Sequence, residues 1–146
     1  MIAVKVDSDP ALNGPLESAV ISIINSVFES EGIQNSEVSL IFGSDDLLSN
    51  LKKEFFQKDQ FTDVIAFRLN DYKEKNVEGE IYISLPRTKE NGKKFNEPFN
   101  KELSRLIIHG GLHLLDYEDE SEADKKIMTE KENHYLELVN WDALYG

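Results

Sequence analysis

Residues 106–115 are the part of the sequence that most limits what this chain can fold into. They read Leu-Ile-Ile-His-Gly-Gly-Leu-His-Leu-Leu, so that only two histidines interrupt an apolar segment. A helix that is apolar on nearly every side is stable only when other elements cover it. The sequence therefore predicts a central helix, which begins near Asn100 and carries the two histidines near its end.

Apolar residues at alternating or helical spacing predict the remaining elements. The predicted strands are 2–6, 37–42, 61–67 and 79–85, and the other helices are 15–31, 45–57 and about 121–139, with Ser44 and Ser121 as N-caps. Residues 86–97 are predicted to be irregular. The order βαβαββαα indicates an α/β (α+β) fold in which a small mixed sheet of about four strands is covered by helices. The length of 146 residues predicts a single domain over 1–146.

Composition excludes several classes of protein. The sequence contains no cysteine, so it has neither a disulfide partner nor a thiolate metal site, and imidazole and carboxylate remain as metal ligands. No apolar run reaches the roughly 18 residues of a membrane span, and the N-terminus lacks a signal-peptide layout, so we expect a cytoplasmic protein. A net charge of −12 argues against general adhesion to nucleic acid but allows a local basic groove.

His109 and His113 are the residues that most clearly indicate chemistry. They are four residues apart, so a helix places both imidazoles on one face about one turn apart, which suits a divalent metal such as zinc. Gly110 and Gly111 lie between them. Each glycine costs a helix interior roughly 1 kcal/mol relative to alanine, which indicates that something approaches closely there. Two histidines that only bond backbone carbonyls are the alternative.

A catalytic zinc site needs at least one more protein ligand, and two aspartates compete for that role. Asp116 follows His109 by seven residues and would share its face if the helix continued. Asp119 follows by ten, and it would reach the metal only if the chain leaves the helix after Leu115. Gly110 occupies the position at which metalloproteases of similar spacing carry a glutamate base, which disfavours peptidase chemistry.

The run from His109 to Asp119 resembles the signature of the YbeY family of ribosomal RNA maturation endoribonucleases, H-G-x-L-H-L-x-G-Y-D-H. Further similarities occur in the same order along roughly residues 37–135: Phe61-Thr62-Asp63-Val64-Ile65-Ala66-Phe67 for P-T-D-V-L-S-F, Gly79-Glu80-Ile81 for G-D-I, Glu102 ahead of the motif, and Met128 with Glu132 for M-x-x-x-E. The resemblance implies one Zn²⁺ per chain and cleavage of single-stranded RNA. It also implies a role in 3′-end maturation of 16S rRNA and in ribosome quality control, with the small ribosomal subunit as partner.

Three positions depart from that signature. Asp119 replaces the third histidine; a carboxylate is a harder ligand, which shifts metal preference. Asp116 replaces the glycine that would end the helix, and Phe56 falls where the family carries an arginine. Candidates to supply the missing positive charge to RNA are Lys53, Lys58, Arg68 and Arg87, the last within a basic stretch that includes Lys89, Lys93 and Lys94.

The expected chemistry is Lewis-acid activation of water, or polarisation of a phosphoryl oxygen, with the RNA 2′-hydroxyl or water as the nucleophile. Phe55, Phe56 and Phe61 are expected to be buried in the core rather than to stack on bases. Two alternatives remain: a non-catalytic ribosome-assembly module with a structural metal, and a different metallohydrolase.

Overall fold

A computed structural model describes residues 1–57 and 62–146. Along these residues the strands are β1 (Ile2–Ser8), β2 (Ser36–Gly43), β3 (Val64–Arg68) and β4 (Val77–Ser84). The α-helices are α1 (Glu17–Ser30), α2 (Asp45–Phe56), α3 (Leu85–Lys94), α4 (Phe99–Leu114) and α5 (Glu122–Leu138), followed by a 3₁₀ helix at Trp141–Tyr145. No helix in these ranges is both long enough and apolar enough to cross a membrane.

The four strands form one mixed sheet in the order β1-β2-β4-β3. The β1–β2 and β2–β4 pairs are parallel, whereas β3 and β4 are antiparallel neighbours joined by the loop 69–76. The predicted fold class, a small mixed sheet of about four strands covered by helices, is confirmed. β3 is an edge strand, so one side of its backbone pairs with no other strand of the described residues.

Alternation along the strands divides the sheet into two faces. Leu40 pairs with Ile81 and Phe42 with Ile83, and these side chains are fully buried beneath α1 and α4 in one apolar core. Tyr82 lies between the two isoleucines of β4 and therefore points to the other face, where α2 packs. The apolar face of the sheet thus fixes where α4 and its histidines lie.

The prediction of irregular structure over 86–97 is wrong, because this segment contains α3. The Ser84 side chain caps the helix by accepting a hydrogen bond from the Arg87 amide at 3.1 Å, and Pro86 lies in the first turn. Serine followed by proline is a recognised helix start, and Lys93 and Lys94 in the last turn complement the helix dipole. The polar composition of the segment concealed this signal.

Gly110 and Gly111 differ sharply in their surroundings. A Cβ atom on Gly110 would lie 2.6 Å from Cγ2 of Ile81 on β4, whereas one on Gly111 would lie 3.5 Å from Ile24 and 3.6 Å from Phe28 on α1. The distance at Gly110 is a steric overlap, whereas the two distances at Gly111 are ordinary van der Waals contacts. The close approach predicted from the glycine pair is therefore that of α4 to the sheet, at Gly110.

We expect Gly110→Ala to lower the free energy of unfolding by about 1–3 kcal/mol, because a methyl group there pushes α4 away from Ile81. Gly111→Ala is the matched control, and it should leave stability unchanged or raise it by up to about 1 kcal/mol through helix propensity. Chemical denaturation of both variants measures the difference. Equal effects at the two positions would contradict the assigned contact.

Candidate metal centre

Helix α4 presents His109 and His113 on one face. Their Nε2 atoms lie 2.9 Å apart and the ring planes are inclined at 79°. Both side chains are largely but not completely buried, with 18% and 26% exposed. The Nε2 atoms of two imidazoles that converge on one point next to solvent are arranged to bind a shared ion, and His113 in addition makes a hydrogen bond to the backbone of Tyr117.

The chain leaves helix α4 through a hydrogen-bonded reversal. The Tyr117 amide donates to the Leu112 carbonyl and the Asp116 amide to the His113 carbonyl, both at 3.1 Å, which is the Schellman arrangement. Asp116 has a φ of 74°, in the left-handed region that favours glycine. It therefore keeps the conformation of the glycine that the resemblance predicts here, and it lines a different cavity together with Arg68 and Tyr117.

This reversal brings Asp119 back to the two histidines. Its Oδ2 atom lies 3.3 Å from Nε2 of His109 and 3.6 Å from Nε2 of His113, and the candidate ligand atoms of the three residues all lie within 4.8 Å of one another. Tetrahedral zinc with ligands at 2.0–2.1 Å separates its ligand atoms by about 3.4 Å. The donor set and its spacing therefore fit a divalent metal ion, with Asp119 rather than Asp116 as the third group.

Glu132 on α5 orients His109 from behind. Its Oε2 atom lies 2.7 Å from Nδ1 of His109, and its Oε1 atom accepts a hydrogen bond from Arg105 at 3.0 Å. A carboxylate only accepts, so Nδ1 carries the proton and Nε2 keeps its lone pair facing Asp119. Histidines that bind metals usually have such a partner on the other ring nitrogen.

The charges around the two imidazoles shift their pKa values in opposite directions. Burial alone would lower the pKa of His109, but the hydrogen bond and charge of Glu132, with the charges of Asp119 and Asp63, raise it overall. Burial and the adjacent His109 lower the pKa of His113, against the opposing effect of Asp119. The acidic groups around His109 thus favour positive charge at the place where a cation would bind.

Two further carboxyl groups add to the negative character of this region. Burial raises the pKa of Asp63, and burial raises that of Glu102 to about 7 even though the positive charge of Arg105 opposes the shift. Asp63 and Glu132 contribute to the shift at Glu102 by repulsion. A cation at the histidines would offset this accumulated negative charge, which is a second reason that the site fits a metal ion.

The three candidate ligands open onto a cavity of about 380 Å³. Its walls come from the end of α2, the edge strand β3 and the loop before α5, and it is lined in addition by Lys52, Phe56, Thr62, Asp63, Val64, Ile65, Ala66, Tyr72, Glu118 and Glu120. Asp63 is held there by a 3.0 Å hydrogen bond from Asn91. The site therefore has an open side that a substrate can approach, together with a carboxyl group that can accept a proton.

Three of the four predicted cationic residues, Lys53, Arg68 and Arg87, do not line this cavity. Arg68 donates to the Leu114 carbonyl at 2.6 Å and to three carbonyls of the β3–β4 loop, so it ties that loop to the end of α4. Arg87 binds Asp45 at 2.8 Å and Glu90 at 3.4 Å, which joins α3 to α2. Lys53 is exposed on α2 but does not line the cavity. Lys58 lies outside the described residues.

Sequence reasoning missed Lys52 and Asp63 as cavity residues and the role of Glu132 behind His109. Glu132 had appeared only as part of the downstream M-x-x-x-E similarity, and its role depends on how α5 packs on α4. The expectation that Phe55 and Phe56 are buried is wrong, since they are 58% and 42% exposed; Phe61 lies outside the described residues.

A mixed sheet with a histidine-bearing helix and a His-His-carboxylate cluster at its end defines a small α/β protein with a candidate metal centre. The sequence model of the family described as Endoribonuclease YbeY matches residues 5–140, so the chain belongs to that family. The predicted family is confirmed.

Relatives named Endoribonuclease YbeY support the same assignment. The protein of Flavobacterium psychrophilum is 39% identical over 85% of this chain and 87% of its own length, and that of Parabacteroides distasonis is 36% identical over 84% and 85%. The solution structure of TM1509 from Thermotoga maritima is similar in fold, with a TM-score of 0.62 and 30% identity over 92% of this chain and 87% of that one.

We expect the wild-type chain to contain about one metal ion and Asp119→Ala to contain little or none, because two histidines alone are an incomplete ligand set. Asp116→Gly is the matched control: it removes a nearby carboxylate while suiting the positive φ, and it should keep the metal. Elemental analysis of untagged protein gives the metal content per chain. Retention in Asp119→Ala together with loss in Asp116→Gly would reverse the assignment.

We expect Glu132→Gln to weaken metal binding about 10- to 100-fold, since an amide orients His109 less well than a carboxylate does. Glu137→Gln, on an exposed position of the same helix, should have no effect. Competition with a chromophoric chelator measures both affinities. Unchanged metal affinity in Glu132→Gln would show that the hydrogen bond from His109 to Glu132 does not affect metal binding.

Proposed function

We propose that the chain is a zinc-dependent endoribonuclease that cleaves single-stranded RNA, with one Zn²⁺ per chain held by His109, His113 and Asp119. The observation that carries this proposal is the convergence of two imidazole nitrogens and one carboxylate oxygen at the wall of an open cavity. Membership of the YbeY family supplies the substrate class. The proposed cellular role is 3′-end maturation of 16S rRNA and ribosome quality control in the cytoplasm, with the small ribosomal subunit as partner.

When bound, zinc supplies Lewis-acid chemistry that polarises a phosphodiester and promotes its attack by water or by a 2′-hydroxyl. Residues of the chain orient the ligands and accept the proton. Glu132 holds the proton on Nδ1 of His109, so that Nε2 remains a ligand. Asp63, which faces the same cavity and whose pKa is raised by burial, is placed to accept a proton from the attacking group.

The open side of the cluster supports catalysis over the alternative of a purely structural metal. Structural zinc sites are closed by four protein ligands, whereas catalytic sites keep a position for water or substrate. Among the described residues, the cluster contains three candidate ligands rather than four. The other alternative, a different metallohydrolase, is disfavoured because Gly110 occupies the position of the glutamate base of metalloproteases and packs on Ile81.

The test is cleavage of a fluorescent single-stranded RNA by metal-stripped protein to which zinc is returned. We expect cleavage that depends on added metal and falls by at least about 100-fold in His113→Ala, since loss of a ligand removes the Lewis acid. The same RNA annealed to its complement should resist cleavage. Failure of zinc, manganese and nickel alike to restore cutting by the wild-type chain would overturn the proposed activity.

A further inference from the structure

Exposed aromatic rings line the cavity of the candidate metal centre. Phe56 at the end of α2 is 42% exposed, and Tyr72 in the β3–β4 loop is 48% exposed. Apolar side chains that are exposed together in a concave site, rather than scattered singly over the surface, are typical of binding sites. These rings lie in the same cavity as His109, His113 and Asp119, so whatever reaches the metal centre also meets them.

The Phe56 ring is held in a fixed orientation from behind. It stacks on Phe67 of β3 with ring centroids 5.8 Å apart and planes inclined at 22°. Phe67 in turn makes edge contacts with Phe55 at 5.3 Å and with Tyr82 of β4 at 6.0 Å. A ring supported by the sheet in this way loses little conformational freedom when a planar ligand stacks on it.

Lys52 lies one helical turn before Phe56 and covers its ring. The Nζ atom is 4.6 Å from the ring centroid, which is a cation–π contact. Contacts of this kind at a partly exposed site are weak, so a planar base can replace the ammonium group on the ring. The displaced ammonium then remains within reach of the phosphate attached to that base.

Lys52 is a positive charge in a cavity that is also lined by several acidic side chains. Among the described residues that line it, Lys52 is the one lysine or arginine, whereas Asp63, Glu118, Asp119 and Glu120 are acidic. A polyanion is repelled by these carboxylates, except at the metal and at Lys52. Base stacking is insensitive to that repulsion because every nucleobase has an uncharged aromatic face.

We propose that Phe56 and Lys52 form a nucleotide subsite beside the metal centre, in which a base of single-stranded RNA stacks on Phe56 and its phosphate binds Lys52. This inference rests on the proposed function and adds to it how the substrate is held. It also explains a single-strand requirement, since a base within a duplex is already stacked and paired and cannot lie on the ring.

The test measures binding of zinc-loaded protein to a short single-stranded 2′-O-methyl RNA that contains 2-aminopurine, with a gel to verify that the strand stays intact. Stacking on Phe56 should quench the 2-aminopurine fluorescence. Phe56→Leu should lose the quenching and bind about tenfold more weakly. Phe56→Tyr, which restores a ring, should return both properties to near the wild-type values.

Phe95→Leu is the matched control. Phe95 is also an exposed phenylalanine, 60% accessible, with the Nζ atom of Lys94 5.7 Å from its ring, but it does not line the cavity. We expect wild-type binding and quenching in this variant. Equal losses in Phe95→Leu and Phe56→Leu, or wild-type behaviour of Phe56→Leu, would overturn the subsite.

Salt dependence separates the role of the lysine from that of the ring. Lys52→Gln should reduce the slope of log affinity against log salt by about 0.7, the value for one phosphate contact to a single strand, whereas Phe56→Leu should leave the slope unchanged. Lys53→Gln, one residue further along the helix, should keep the wild-type slope. An equal reduction in both lysine variants would indicate general charge and overturn the phosphate contact.

The two proposals fail in different ways. If the wild-type chain cleaves RNA but Phe56→Leu binds and quenches like wild type, the subsite is wrong and the nuclease activity stands. If the wild-type chain binds RNA with quenching that depends on Phe56 but never cleaves it, the activity is wrong and the subsite stands. Equal losses in Phe56→Leu and Phe56→Tyr, with lowered thermal midpoints, would assign Phe56 to packing on Phe67 and overturn the subsite.

Discussion

The contact between Gly110 and Ile81 is the constraint on which the candidate site depends. It lets helix α4 lie directly on the sheet, with no room for even a methyl group between them. With that face of the helix fixed on β4, His109 and His113 must emerge beside the edge strand β3, where the sheet ends and a cavity opens. The packing of helix α4 on the sheet therefore determines where the two imidazoles lie.

The third candidate ligand depends on how the chain leaves that helix. A helix that continued past Leu115 would place Asp116 near the histidines, whereas the Schellman reversal at Asp116 directs it to another cavity and returns Asp119 instead. Arg68 reinforces the reversal by binding the Leu114 carbonyl. A residue considered as an RNA contact thus holds the turn that assembles the site.

The acidic character of the cavity reconciles an acidic protein with an RNA substrate. Carboxylates around His109 favour a bound cation, and that cation, once bound, attracts phosphate. In the proposed arrangement, substrate affinity comes from the metal, from one lysine and from aromatic stacking rather than from a broad basic surface. The substitution of Phe56 for an arginine is consistent with such a division of roles.

The sequence by itself determined the family, the fold class, the caps at Ser44 and Ser121, and the histidine pair, because hydrophobic periodicity and the spacing of four residues are local properties. It left Asp116 and Asp119 open, since the choice depends on a turn whose left-handed residue is not glycine. Only the tertiary structure placed Glu132 behind His109 and Lys52 with Phe56 in the cavity, and only it removed Arg68 and Arg87 from the cavity. These relations join side chains of different elements, and their geometry is fixed by how the helices pack on one another and on the sheet, which no local pattern encodes.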